Sequence, residues 1–419
     1  MRGRTIWLTG LLAKTARGLP LLIFQRAVAP DPRWIPHQVV AMHEVYEIND
    51  PVELATCRML WDFLLPQTPR ASFFHTWDWL NSYWQHFGKG QTLRVLVIHA
   101  DGNPLGIVPL CVRQDRYRLG TVRTLTYPLD DWGSWYSPIG PNQAASMLIA
   151  MQHIQATPRD WDMIDLRWTG PESHDGGRPG RAMRIAGYEP HKHAYQVNSV
   201  LEMTGGWNRF LQQQPGKLRR DYCSLLHRLS QRDDLQFIRH RPAPARSGDG
   251  DPRWDLYAMC EAVAASSQHA DVRDENTLST GRVRSFLRDA HADAARLGMV
   301  DMNLLLASGI PVAFLYSYHF AGRVFALRTG FDPATGGNPP GISLILRSIQ
   351  DGFRRHDCVL DLGVGEWDYK RQLRTGVATS YRVSYTPMTA LRSQAVCWSR
   401  WVKHRFTRQE AAQEDSVSA

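Results

Sequence analysis

The chain has few cysteines, and none of the six sits at Cys-x-x-Cys spacing. Cys57, Cys111, Cys223, Cys260, Cys358 and Cys397 are scattered, which argues against a paired redox or metal motif. In a chain of this size the scatter points to free thiols in a reducing, cytoplasmic compartment. His191-Lys192-His193 holds the closest histidine pair and has no third ligand nearby, so no metal site is expected. The amino-terminal segment also lacks an apolar run near the ~20 residues that span a bilayer. Pro20 interrupts it, and no small-residue cleavage site follows a single long apolar core. Acidic residues are absent from Met1 to Pro30, where Arg2, Arg4, Lys14, Arg17 and Arg26 alternate with apolar residues. Two readings of residues 1–40 follow: a basic amphipathic arm lying on an anionic membrane surface, or an extension packed on the body. A Pro-rich connector, Pro30 to Pro36, closes the segment.

What is present suits a two-domain protein. A length of 419 residues allows two full cores, and a hydrophobic fraction of 43% is ordinary for a globular chain. Fifteen tryptophans can serve both cores and substrate grooves. The formal net charge is +9. Part of it lies in a second basic cluster of Lys217, Arg219, Arg220, Arg228, Arg232, Arg239, Arg241 and Arg246. Leu218, Tyr222, Leu225, Leu226 and Leu229 recur there at helical spacing. The cluster is either a solvated helix face or a surface that contacts phosphate. No RNA-binding motif accompanies it.

An internal repeat decides the fold class. Residues 93–110 read as strand, Asp101-Gly102 turn and strand. A Gly/Pro loop, a helix near 143–154 and the strand around Asp165 follow. Residues 302–316 repeat the hairpin around Ser308-Gly309, and again a Gly/Pro loop, a helix near 342–353 and a strand around Asp361 follow. The expected fold is α/β, with two tandem mixed-sheet copies. Expected boundaries are 41–205 for the first domain, 206–395 for the second and 396–419 for a polar tail. A helix capped by Thr76 is predicted to carry Trp79, Leu80, Tyr83, Trp84 and Phe87 on one face and to end at Gly88.

The order of elements in each copy resembles the GNAT acyltransferase fold. The segment Asp361-Leu-Gly-Val-Gly365-Glu-Trp-Asp-Tyr369-Lys370 has the D-[FL]-x-x-G-x-x-x-Y-K spacing of CelD/BcsL-type acyltransferases. Thr329-Gly-Phe331-Asp332-Pro333 with Pro340-Gly341, and the run from Phe74 to Gly88, are similar to further segments of that family. Across residues 41–390 the resemblance implies a tandem GNAT fold related to Fem-type ligases. It implies acetyl-CoA as donor and a sugar or polysaccharide precursor as acceptor. It also implies that the loop after the fourth strand of a copy holds the donor pyrophosphate. Asp361, Tyr369 and Lys370 match the family's recurrent positions and are the expected catalytic residues.

The residues of the loop agree with that role. Thr335-Gly336-Gly337-Asn-Pro-Pro-Gly341-Ile-Ser343 leads from strand to helix, and glycine backbone N–H groups beside a helix start suit an anion. Gly336, Gly337, Gly341 and Ser343 are the expected donor-binding residues, although the loop departs from the Q/R-x-x-G-x-G/A spacing. Acidic and phenolic groups at strand ends are candidates for proton transfer: Asp361, Glu366, Asp368 and Tyr369, and also Asp130-Asp131 and His319. Lys370 either pairs with a carboxylate or neutralises donor phosphate. The alternatives are aminoacyl transfer from charged tRNA, and a non-catalytic scaffold in exopolysaccharide assembly.

Overall fold

A computed structural model describes residues 43–117, 120–128, 133–170, 177–267, 278, 281–332, 340–365, 367–390 and 394. The basic arm, Asp130-Asp131, Gly336, Gly337, Glu366 and the polar tail lie outside them. Twelve strands form one sheet in the order β1-β2-β3-β4-β5-β12-β6-β11-β10-β9-β8-β7. They are β1 His43–Ile48, β2 Thr92–Ala100, β3 Asn103–Tyr117, β4 Gly120–Thr126, β5 Met163–Thr169, β6 His191–Glu202, β7 Leu235–His240, β8 Val300–Ala307, β9 Ile310–Phe320, β10 Arg323–Phe331, β11 Val359–Val364 and β12 Gly376–Tyr385.

Shifting every strand label by six reproduces this order in reverse, which is the signature of a duplicated unit. Corresponding pairings agree in sense: β4 with β5 and β10 with β11 are parallel, and the remaining neighbours are antiparallel. Both hairpin turns place a short polar residue and a glycine at positive φ, Asp101 at 49° with Gly102 at 75°, and Ser308 at 51° with Gly309 at 80°. That twist suits a two-residue hairpin. The helices Gln143–Ala156 and Pro340–Arg354 connect the parallel pairs.

The halves exchange a strand at the centre. β6 lies between β12 and β11, beside the second half, whereas β12 crosses back to pair with β5 of the first. The sheet therefore divides differently from a single cut near residue 205. A shared aromatic core also joins the halves. Thr76 caps the helix Trp77–Phe87 by accepting from the Trp79 N–H at 3.0 Å. Trp79 packs on Phe286 at 5.1 Å, and Phe73 on Tyr318 at 4.5 Å between ring centres. Such contacts add to the stabilisation from buried area.

The helix Gly216–Ser230 buries Tyr222 and Leu225, as its apolar spacing predicts. Arg239 and Arg241 do not share its outer face. They enter an internal ion network with Asp301 and Asp357, Arg239 bonding Asp301 at 2.7 Å and Arg241 bonding Asp357 at 2.7 Å. These two arginines are thus already neutralised by protein carboxylates, which removes them from a phosphate-binding surface. Among the described residues no helix is long and apolar enough to cross a membrane, and no disulfide joins the described cysteines.

Candidate active site

Alternation along β11 sets the site. Leu360 and Leu362 face one way, onto a cluster with Val324, Leu346 and Ile349 beneath the helix Pro340–Arg354. The intervening Asp361 must then face the other side of the sheet. There β10 and β11 pair only from Arg323–Val359 to Phe325–Asp361. Arg323, Phe325, Val359 and Asp361 line a cleft of about 850 Å³, its open mouth included. The opposite wall comes from the first half: Arg70, Trp135, Ser137, Gln143, Gly170 and Arg178.

Asp361 is 5% exposed and its carboxylate receives only N–H donors. Trp135 Nε1 donates to Oδ2 at 2.6 Å, Gly363 N to Oδ1 at 2.8 Å, and Asn198 Nδ2 reaches both oxygens at 2.9 and 3.0 Å. Burial raises the Asp361 pKa above the usual carboxylate value; these donors and the Lys370 charge oppose but do not cancel it. Two features fit an unfilled contact here. Trp135 holds a positive φ of 63°, costly for a bulky residue. Asn198 Oδ1 is buried with no partner, which a native structure normally avoids.

Lys370 is buried and donates to the Val364 carbonyl at 2.6 Å. It makes no direct ion pair with Asp361. Burial depresses its pKa to about 8, against the opposing pull of Asp361. The ammonium instead braces the turn in which Gly363 and Gly365 take φ of 78° and 107°. Tyr369 lies apart from Asp361. It packs on the apolar cluster behind the sheet, and burial pushes its phenol up to about 12.

Gly341 and Ser343 lie at the start of the helix Pro340–Arg354, past the far end of β10. A Cβ at Gly341 would come within 3.1 Å of Phe331, and Ser343 is buried. His319 is not among the cleft residues. It sits by the internal ion network, where burial and Arg241 depress its pKa to about 4, so it stays neutral.

The first-half wall has its own polar chain. Ser72 N–H donates to His75 Nδ1 at 3.2 Å, so the neutral imidazole carries its proton on Nε2. That nitrogen lies 3.0 Å from Ser137 Oγ, which also accepts from Gln143 Nε2 at 2.8 Å. Burial depresses His75 to about 4. Sequence reasoning missed Trp135, Asn198, Arg70, Arg178 and Arg323. Strand alternation offers a signal for Arg323 alone, two residues before Phe325.

The corresponding strand of the first half, β5, carries Asp165. It is fully buried and salt-bridged to Arg382 and Arg167. The two copies thus hold an aspartate in the same place and in opposite electrostatic states: one neutralised by arginines, one facing a cleft.

The duplicated sheet, with a parallel pair opening in each copy, is a tandem fold of the GNAT type. Residues 216–371 match the family described as "Acetyltransferase (GNAT) domain". Among solved structures, FemX is 10% identical over 84% of this chain and 99% of its own, with a TM-score of 0.54. L-PGS from Bacillus licheniformis is 11% identical over 86% and 99%, with a TM-score of 0.48. A tandem GNAT protein from the clavulanic acid biosynthesis pathway is 12% identical over 82% and 98%, with a TM-score of 0.42. No curated protein matches the chain.

Proposed function

We propose that the chain transfers an acyl group, acetyl from acetyl-CoA in the simplest case, to a hydroxyl or amine of a saccharide-like acceptor, with Asp361 taking the acceptor's proton. This is the reading of a CelD/BcsL-type enzyme. One observation carries it: a buried carboxylate of raised pKa faces the cleft beside the diverging parallel strands of the matched domain. A general base works best when its pKa approaches the working pH. Burial moves Asp361 in that direction, and its N–H donors keep an ionised form accessible.

Coenzyme A supplies the activated acyl carbon as a thioester. The fifteen-residue helix Pro340–Arg354 offers its N-terminus to the donor phosphates. Asn198 Oδ1 offers the acceptor a hydrogen-bond partner beside Asp361. Lys370 is a positioning residue: through Val364 it holds the turn whose Gly363 N–H binds Asp361. Tyr369 is assigned to packing.

The test compares Asp361→Asn with Asp165→Asn, the same chemical change at corresponding places. Loss of a general base lowers turnover by about a hundredfold or more. Asp361→Asn is therefore expected to fold and to lose acetyl transfer. Asp165→Asn leaves two partly buried arginines short of a partner, so it is expected to lower stability with turnover per folded molecule intact. Full turnover by Asp361→Asn would remove the cleft from the chemistry.

A further inference from the structure

Three arginines from three separate segments meet at the cleft: Arg70 and Arg178 from the first half and Arg323 from the second. They are close enough that Arg323 and Arg178, after burial, are the causes that hold Arg70 down to about 10. Asp361 partly offsets the effect of burial on Arg323. Yet the Nε of Arg323 is buried with no hydrogen-bond partner, and the Asp361 oxygens are taken by Trp135, Asn198 and Gly363. Like charges gathered in a partly buried cleft repel one another, and an anion relieves that repulsion. A guanidinium with free donors favours phosphate or carboxylate in particular.

We infer that this arginine cluster binds the acceptor through a phosphate ester, so that the substrate class is a phosphate-bearing saccharide rather than a neutral one. The inference rests on the acyl-transfer reading for one point, the place of the donor. Donor phosphates belong at the helix start beyond Phe331, the last residue of β10, whereas Arg323 is the first residue of that strand. A nine-residue strand at about 3.3 Å per residue separates the two by about 25 Å. The arginines therefore have a different anion to hold.

Calorimetry with inorganic pyrophosphate tests this on the full chain, with and without saturating coenzyme A. The expected result is one pyrophosphate per chain, bound equally well with coenzyme A present. Arg323→Gln and Arg70→Gln are each expected to weaken it by about tenfold, the effect of one charge-assisted contact, with coenzyme A affinity unchanged. Arg70 is exposed, so its variant is expected to fold even if Arg323→Gln does not. Unchanged pyrophosphate affinity in Arg70→Gln and in any folded Arg323→Gln would overturn the inference. So would displacement of pyrophosphate by coenzyme A. Competition by UDP-N-acetylglucosamine or by phosphatidylglycerol vesicles then separates a soluble phosphate ester from a lipid-borne one. Loss of the acyl-transfer reading is distinguishable, because it appears in Asp361→Asn turnover and not in pyrophosphate binding.

Discussion

Trp135→Phe isolates the bond that ties the first half to the candidate base. The change removes the indole N–H that donates to Asp361 Oδ2 at 2.6 Å and keeps an aromatic ring in place. A hydrogen bond to a charged group contributes about 1.5–3 kcal/mol, which corresponds to about 1–2 pKa units. The direction is upward, since the lost donor favoured the ionised form. Asp361 already holds its proton more tightly in the folded chain than in the unfolded one. Its ionisation therefore opposes folding: the effect is absent below the ordinary carboxylate value, grows as pH rises, and is complete above the raised folded value. Trp135→Phe extends that window upward. The stability gap between wild type and variant is expected to widen by about 1.5–3 kcal/mol between mildly acid and mildly alkaline pH. The acid limb of kcat/KM is expected to move up by about 1–2 units. Urea unfolding at several pH values and a pH–rate profile measure the two. Packing loss alone gives a gap that does not change with pH and a limb that stays in place, and that result would refute the electrostatic account.

Lys370→Met tests the depressed ammonium. The folded pKa near 8 lies below the ordinary lysine value, so wild-type stability is expected to rise with pH from about 8 into the lysine range, and the variant should lack that rise. Thermal unfolding across that range checks it. Gly341→Val is expected to weaken acetyl-CoA binding by about tenfold, or ~1.4 kcal/mol, because a branched side chain would crowd the helix start where the donor phosphates are proposed to lie. Equal affinities by calorimetry would move the donor away from this helix.

Local features were legible in the sequence because their causes are local. Asp101-Gly102 and Ser308-Gly309 announced hairpins, since a short polar residue followed by glycine tolerates positive φ. The helices expected near 143–154 and 342–353 are observed at Gln143–Ala156 and Pro340–Arg354. Asp361 stood out as a carboxylate inside an apolar strand. The exchange of β6 and β12 was not legible, because alternation tells which face a residue takes and not which strand lies beside it. Trp135 was hidden for a related reason: its bond to Asp361 spans 226 positions of chain. Tyr369 neighbours Lys370 in the short helix Asp368–Leu373, and successive residues of a helix point about 100° apart, so the two side chains take different surroundings.

Duplication gave this chain two corresponding places, and in the first the chain's own groups occupy the helix start and meet the strand carboxylate. In the first copy Ile139 pairs with Ile107, closing the strand side of the loop. Asn142 Oδ1 then accepts from the Ala145 N–H at 3.1 Å, so the start of the helix Gln143–Ala156 is capped from within. Asp165 meets two guanidiniums, one of them on the exchanged strand β12. A carboxylate fixed in that way has both oxygens engaged by guanidinium donors. The second copy has neutral donors where the first has arginines, and one of those donors, the Trp135 indole, comes from the first copy itself. The strand exchange makes this division of labour possible. It places β12 and β6 side by side at the centre of the sheet, so that one half supplies the carboxylate and the other supplies the wall that orients it. The cleft is lined from both halves, by Trp135 and Ser137 of the first and by Phe325 and Asp361 of the second, so neither half holds it alone.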